Sequence, residues 1–199
     1  QDKPVSAELG NRTPVIVVPG RWPDADIDYQ ADNVASMLTN NAGFNCTTAR
    51  VIITPAGWRL RHRFLNAVRA RLRATPARVA WYPAAEQRFD RFLGAHTNAE
   101  LYGTGADRRL PWALIADLEP RQDDDMCFTT EASGSVFAEL PLPSADVDDY
   151  RERAVDVTTD CLRGSPNATG HVHPGALRHG DGGESGEKAR ADTGEGAGR

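Results

Sequence analysis

Three consecutive segments restrict the architecture open to this chain. TPVIVVPG (13–20) is a short, continuous β-branched run between prolines. DADIDYQADNVASMLTNN (24–41) then sets Ala31, Val34, Ala35 and Leu38 at helical spacing, and RVIIT (50–54) is a second apolar run. A strand without polar alternation is one covered on both faces, as in a parallel sheet. Two such strands joined by a helix form a parallel crossover unit. Asp26 or Asp28 is placed to cap the helix, and Asn41 with Gly43 to end it.

The alternation continues. RLRHRFLNAVRARLRA (59–74) gathers Leu60, Phe64, Leu65, Val68 and Leu72 on one face, an amphipathic helix. PAAEQRFDRFLGAH (83–96) has a helical pattern, PWALIADL (111–118) and GSVFAELPL (134–142) read as strands, and SADVDDYRERAVD (144–156) as a serine-capped helix. The expectation is one α/β domain with a layered parallel sheet, spanning 1–177, with strands at Val15–Val18, Arg50–Thr54 and Ser135–Leu142. RHGDGGESGEKARADTGEGAGR (178–199) has seven glycines in 22 residues and no Val, Ile, Leu, Met or aromatic. Such a segment buries too little surface to offset chain entropy, so a disordered tail is expected there.

Composition excludes several classes. A net charge of −5 gives no bias toward nucleic acid or anionic membranes. No apolar run approaches the roughly 18 residues of a membrane span, so no membrane partner is expected. Cys46, Cys127 and Cys161 are far apart, odd in number and free of CxxC spacing, which suggests neither a disulfide framework nor a zinc site and fits a reducing cytoplasm. His171 and His173 in HVHP lack an acidic or thiol partner at ligand spacing, so no metal site is expected. The arginines of 59–74 read as a solvated helix face or a phosphate patch; no aromatic platform accompanies them, which favours the former.

NNAGFNCTTARVIIT (40–54) places Cys46 in a Gly/Asn-rich loop between helix and strand, either as a nucleophile or as a small filler. SAELGNRTP (6–14) places a carboxylate, Glu8, six residues before the proline of the first strand. Spacing alone does not separate Glu8 from an ordinary solvated glutamate. His62 and His96 read as surface residues, and Cys127 and Cys161 as fillers.

Taken together, these blocks resemble the catalytic domain of the aldehyde dehydrogenase family. AELGNRTPVIVVPGRWPDADIDYQA is similar to ELGGKxPxIVxxDADxDxA, and NAGFNCTTARVII to NxGQxCxxxxRxxV. LPWALIADLEPRQDDDMCFTTEASGSVFAELPL is similar to PTxLxDVxxxMxxxxEEIFGPVxxV, in the family's order, and the likeness covers roughly 7–174. The resemblance implies oxidation of an aldehyde to a carboxylic acid with NAD or NADP, through a thiohemiacetal and a thioester on Cys46. It implies Glu8 as general base, Glu131 as the holder of the nicotinamide ribose, and Leu9 and Gly10 as backbone beside the nicotinamide. The departures are Asn11 for the second glycine, Phe44 for the glutamine, and Ser133 and Ser135 for the aromatic and the proline.

No Gly-rich phosphate turn opening a helix is present to grip a dinucleotide. The chain is therefore expected to work as part of a longer or split enzyme, to be inactive in isolation, and to leave a homo-oligomer open for the full-length form. The alternatives are an inactive remnant or assembly domain of the same fold, and a cofactor-free cysteine hydrolase.

Overall fold

The structure, a computed structural model, describes residues 3–4, 10–120, 124–162, 164 and 167–177. Its elements in chain order are β1 (Thr13–Val17), α1 (Asp24–Thr39), β2 (Ala49–Pro55), α2 (Arg61–Ala74), β3 (Arg78–Val79), α3 (Ala85–Ala95), β4 (Glu100–Tyr102), β5 (Arg109–Leu110), β6 (Trp112–Ile115), α4 (Met126–Thr129), β7 (Val136–Leu142), α5 (Val147–Asp156), β8 (Thr169–His171) and α6 (Pro174–Leu177). The main sheet runs β4-β6-β7-β2-β1-β8. Every pairing in it is parallel except β4 with β6. β3 and β5 form a separate antiparallel ribbon.

The period of two along buried strands divides the core. Ile52, Leu114 and Phe137 face α1 and α2, meeting Val34, Leu38, Phe64, Leu65 and Val68. Val51, Ile53, Ala113, Ile115 and Ala138 face the other way, onto Phe89, Phe92, Phe128 and Tyr150. β2, central in the sheet, is buried along its whole length, which is why RVIIT shows no polar alternation. The phenol of Tyr150 donates to the Ile53 carbonyl at 2.9 Å, tying α5 to that strand.

The three expected strands form within a residue or two of their expected ends. Two caps differ. α1 begins at Asp24 behind Pro23, with no side-chain cap. The fixed φ of proline orders that start, leaving Asp24 and Asp26 to the positive end of the helix dipole and Asp28 inside the helix. α5 is capped not by Ser144 but by Asp146, whose carboxylate accepts from Asp148 N at 3.0 Å and Asp149 N at 2.9 Å.

The arginines of α2 are mostly paired on the molecule itself. Arg63 bonds Asp28, Arg69 bonds Glu100 and Arg71 bonds Asp32. Arg61 departs from the expected solvated face: it is buried, donating to both oxygens of Glu139, which is wholly buried on β7. Thr54 Oγ1, Arg61 Nη2 and Asp117 complete this network. The hydrogen bond to Glu139 is the largest influence raising the Arg61 pKa above its ordinary value. A charge in the middle of an apolar strand is tolerated only when its partners fill its hydrogen-bonding sites, as they do here. Among the described residues, no helix is long and apolar enough to cross a membrane. The segment 178–199, expected to be disordered, lies outside the described residues.

Candidate active site

Parallel pairing sends the loops before β1, β2 and β7 to one edge of the sheet. Those loops carry Gly10, Cys46 and Glu131 respectively, so three of the sequence-predicted site residues share the edge at the strands' amino ends. Glu8 and Leu9 lie outside the described residues.

The Cys46 loop is built by an abrupt end to α1. After Thr39 the chain makes a tight turn through Asn41, Ala42 and Gly43, all with positive φ (49°, 56° and 76°). Left-handed Ala42 costs about 1–2 kcal/mol, so something must hold this turn. Arg50, at the start of β2 and buried, does so. Its guanidinium donates to the Gly43 carbonyl on one side and to Gly134 O at 2.7 Å on the other. Burial pushes the Arg50 pKa down to about 10, with Glu131 opposing the fall and Arg88 adding to it. A Cβ on Gly43 would lie 2.1 Å from Gly134 O, so only glycine permits this approach of the two loops. Beyond it, Asn41 Nδ2 donates to Asn45 Oδ1 at 2.9 Å, and Thr48 N bonds Asn45 O at 3.1 Å. That turn presents Cys46 to solvent.

Glu131 is half-buried, and its Oε2 accepts from Asn11 N at 3.1 Å. The carboxylate thus joins the β7 loop to the loop that carries Gly10. Gly10 has φ +77°, and its carbonyl packs so closely on Gly164 that a Cβ there would lie 2.3 Å away. The residues that depart from the family pattern have definite places. Asn11 and Ser135 are buried. Ser133 takes φ 38°, with its carbonyl held by Arg88 at 3.1 Å. Phe44 packs over Gly134: a Cβ built there would meet Phe44 Cε1 at 3.8 Å. The Phe44 ring therefore lies beside the turn through Ser133 and Gly134.

Three features of the site are not legible in the sequence. Arg50 stands in a strand segment with no local sign of its role as a clamp. The pair Trp81–Tyr82 forms an exposed aromatic cluster with Phe44, at ring separations of 5.2 Å and 5.8 Å; two adjacent aromatics before a proline are its only signal. Third, His96 is not a surface residue. Its side chain is only 10% exposed and meets the Asp125 carboxylate at 3.0 Å. His62 is exposed, as expected, and His171 is buried with burial lowering its pKa.

Solved structures share this fold. A gamma-glutamyl-gamma-aminobutyraldehyde dehydrogenase from Burkholderia cenocepacia matches with a TM-score of 0.58 and 18% identity, over 89% of this chain and 40% of that one. Lactaldehyde dehydrogenase from Escherichia coli matches at 0.60 and 16%, over 82% and 39%. An NAD-dependent benzaldehyde dehydrogenase from Corynebacterium glutamicum matches at 0.61 and 16%, over 86% and 37%. The fold is that of the aldehyde dehydrogenases. The chain spans about two-fifths of the length of these dehydrogenases. No protein-family model and no curated sequence matches it.

Proposed function

We propose that this chain supplies the thiol half of an NAD(P)-dependent aldehyde dehydrogenase, oxidising an aldehyde to a carboxylic acid as part of a longer or split enzyme. One observation carries the reading. Arg50 clamps the turn before Cys46 to the loop that follows Glu131, which joins the loops of the exposed thiol and the carboxylate at one edge of the sheet.

The residues fit a nicotinamide cofactor. Glu131 is a half-buried carboxylate whose Oε2 is already fixed by a backbone N–H, and Gly10 keeps its backbone free of a Cβ. Glu131 would hold the ribose hydroxyls, with Leu9 and Gly10 beside the ring. When bound, the cofactor supplies the hydride acceptor. Cys46 adds as thiolate to the aldehyde carbon, forming a C–S bond while the carbonyl oxygen takes the negative charge. The Cys46 backbone N–H would donate to that oxygen. Hydride passed from the carbon to a bound nicotinamide would leave a thioester on Cys46, and a water deprotonated by Glu8 would cleave it to acid and free thiol. Phe44, Trp81 and Tyr82 would become an apolar wall of these steps once the rest of the enzyme covers them.

The test supplies a dinucleotide-binding partner domain together with this chain, an aldehyde and NAD(P)+. NAD(P)H should form, and Cys46→Ala should abolish it. In parallel, an activated ester should acylate Cys46 ahead of Cys127 and Cys161, read by mass spectrometry. A folded assembly that forms no NAD(P)H and acylates Cys127 or Cys161 first would leave only the assembly-domain reading.

A further inference from the structure

Away from the Cys46 edge, His96, Asp125 and Cys127 bring one nitrogen, one carboxylate and one sulfur to a common point, all three donor atoms within 4.8 Å of one another. His96 stands at the end of α3, Asp125 caps α4 and Cys127 lies in its first turn. We propose that this cluster is a structural site for a zinc-like divalent cation, bound by His96 Nε2, Asp125 Oδ2 and Cys127 Sγ, with water in the fourth position.

The imidazole supplies the deciding observation. His96 Nδ1 lies 3.1 Å from the Phe92 carbonyl, one turn back in α3. A carbonyl only accepts, so Nδ1 carries a hydrogen and Nε2 is the nitrogen turned toward the cluster. Nε2 faces both Asp125 oxygens, at 3.1 Å and 3.0 Å, and Cys127 Sγ at 3.9 Å. A ring nitrogen this close to a carboxylate needs a proton or a cation between them, and the sulfur on the same side offers a cation a third donor. A backbone carbonyl orienting the ring from behind is the usual support of a metal-bound histidine.

The distances suit the cation. Tetrahedral zinc bonds imply S···N of ~3.6 Å and N···O of ~3.4 Å, against 3.9 Å and 3.0 Å here. Asp125 Oδ1 is already used, accepting from Cys127 N at 2.7 Å, which leaves Oδ2 for the ion.

The arrangement argues against a second catalytic triad. There the carboxylate and the thiol would sit on opposite ring nitrogens, whereas here both address Nε2. Burial, with Asp125 close by, raises the Cys127 thiol pKa, so a free thiolate is disfavoured. Binding a cation would expel the thiol proton to solvent, and affinity should fall as pH is lowered. The ion would pin the end of α3 to α4, the short helix that leads into Glu131.

Cobalt(II) titration of the full 199-residue chain tests this. One equivalent should bind with a thiolate-to-metal charge-transfer band and tetrahedral d–d absorption. Cys127→Ser should lose the charge-transfer band and His96→Gln should weaken binding at least ~10-fold, while Cys46→Ala and Cys161→Ser leave both unchanged. In the unmutated chain, zinc should slow alkylation of Cys127 at least ~10-fold, a readout that needs no variant to fold. No charge-transfer band together with no protection of Cys127 overturns the proposal. So does a band that survives Cys127→Ser, since that is adventitious binding elsewhere.

Discussion

Replacing Gly43 with alanine tests whether the Cys46 loop is held as described. Two costs follow from the geometry. A left-handed φ of 76° in a residue with a Cβ costs about 1–2 kcal/mol. The new Cβ would also fall 2.1 Å from the Gly134 carbonyl oxygen, an overlap that only a shift of one loop by ~1 Å relieves. That shift breaks the Arg50 hydrogen bond to Gly134 O, a charge-assisted bond worth about 1.5–3 kcal/mol. The sum is about 2.5–5 kcal/mol, a large part of the ~5–15 kcal/mol that holds a domain folded. Urea unfolding measures it, with Gly57→Ala as the control. A Cβ on Gly57 meets nothing within 4 Å, so that variant should stay within about 0.5 kcal/mol of the parent. The alkylation rate of Cys46 should change in Gly43→Ala and not in the control. A Gly43→Ala protein as stable as the parent, with an unchanged Cys46 rate, would refute the clamp.

Two further outcomes are expected. Arg61→Met strands the buried Glu139 charge and should cost about 3–5 kcal/mol in urea unfolding, whereas Arg61→Met with Glu139→Leu should recover most of that loss; equal losses in the single and double variants would deny the coupling. Burial holds the His171 pKa below its ordinary 6.5, so the folded chain binds fewer protons than the unfolded one, and its contribution is complete above pH 6.5 and lost as pH falls toward the folded value. Stability should decline more steeply below pH 6.5 in the parent than in His171→Leu; parallel pH profiles would show that His171 does not contribute.

What the sequence revealed depended on the range of the interaction. β2 was legible because a strand buried on both faces shows no polar alternation, and the Val51, Ile52 and Ile53 run within RVIIT is a local record of that. α2 was legible from its 3.6 period, but the fate of Arg61 was not. Its partner Glu139 stands 78 residues away, in a strand whose pattern gave no warning of a buried carboxylate. Capping misled in both helices because several acidic or hydroxyl residues stood within one turn of each start, and only backbone geometry selects among them. The candidate site showed the same division. Cys46 and Glu131 came from contiguous motifs, whereas Arg50 as clamp and His96 as partner of Asp125 depend on contacts across 84 and 29 positions.

The sheet's polarity sets the buried Arg50 and the Cys46 loop on the same edge. In parallel α/β sheets, the helix that follows each strand begins at the strands' carboxyl ends, and ligands are most often found there. In this chain the carboxyl edge holds the Arg61–Asp117 ion pair, and the Trp58 indole is hydrogen-bonded to Gly20 O. Cys46 lies at the amino edge, directly beyond the carboxyl end of α1. Arg50 sets a fixed positive charge between the Gly43 and Gly134 carbonyls of this edge. Lysine at position 50 would keep the charge but could not span the two loops with a planar fork. Arg50→Lys is therefore a more informative substitution than Arg50→Met, because it separates the electrostatic part of the clamp from the geometric one.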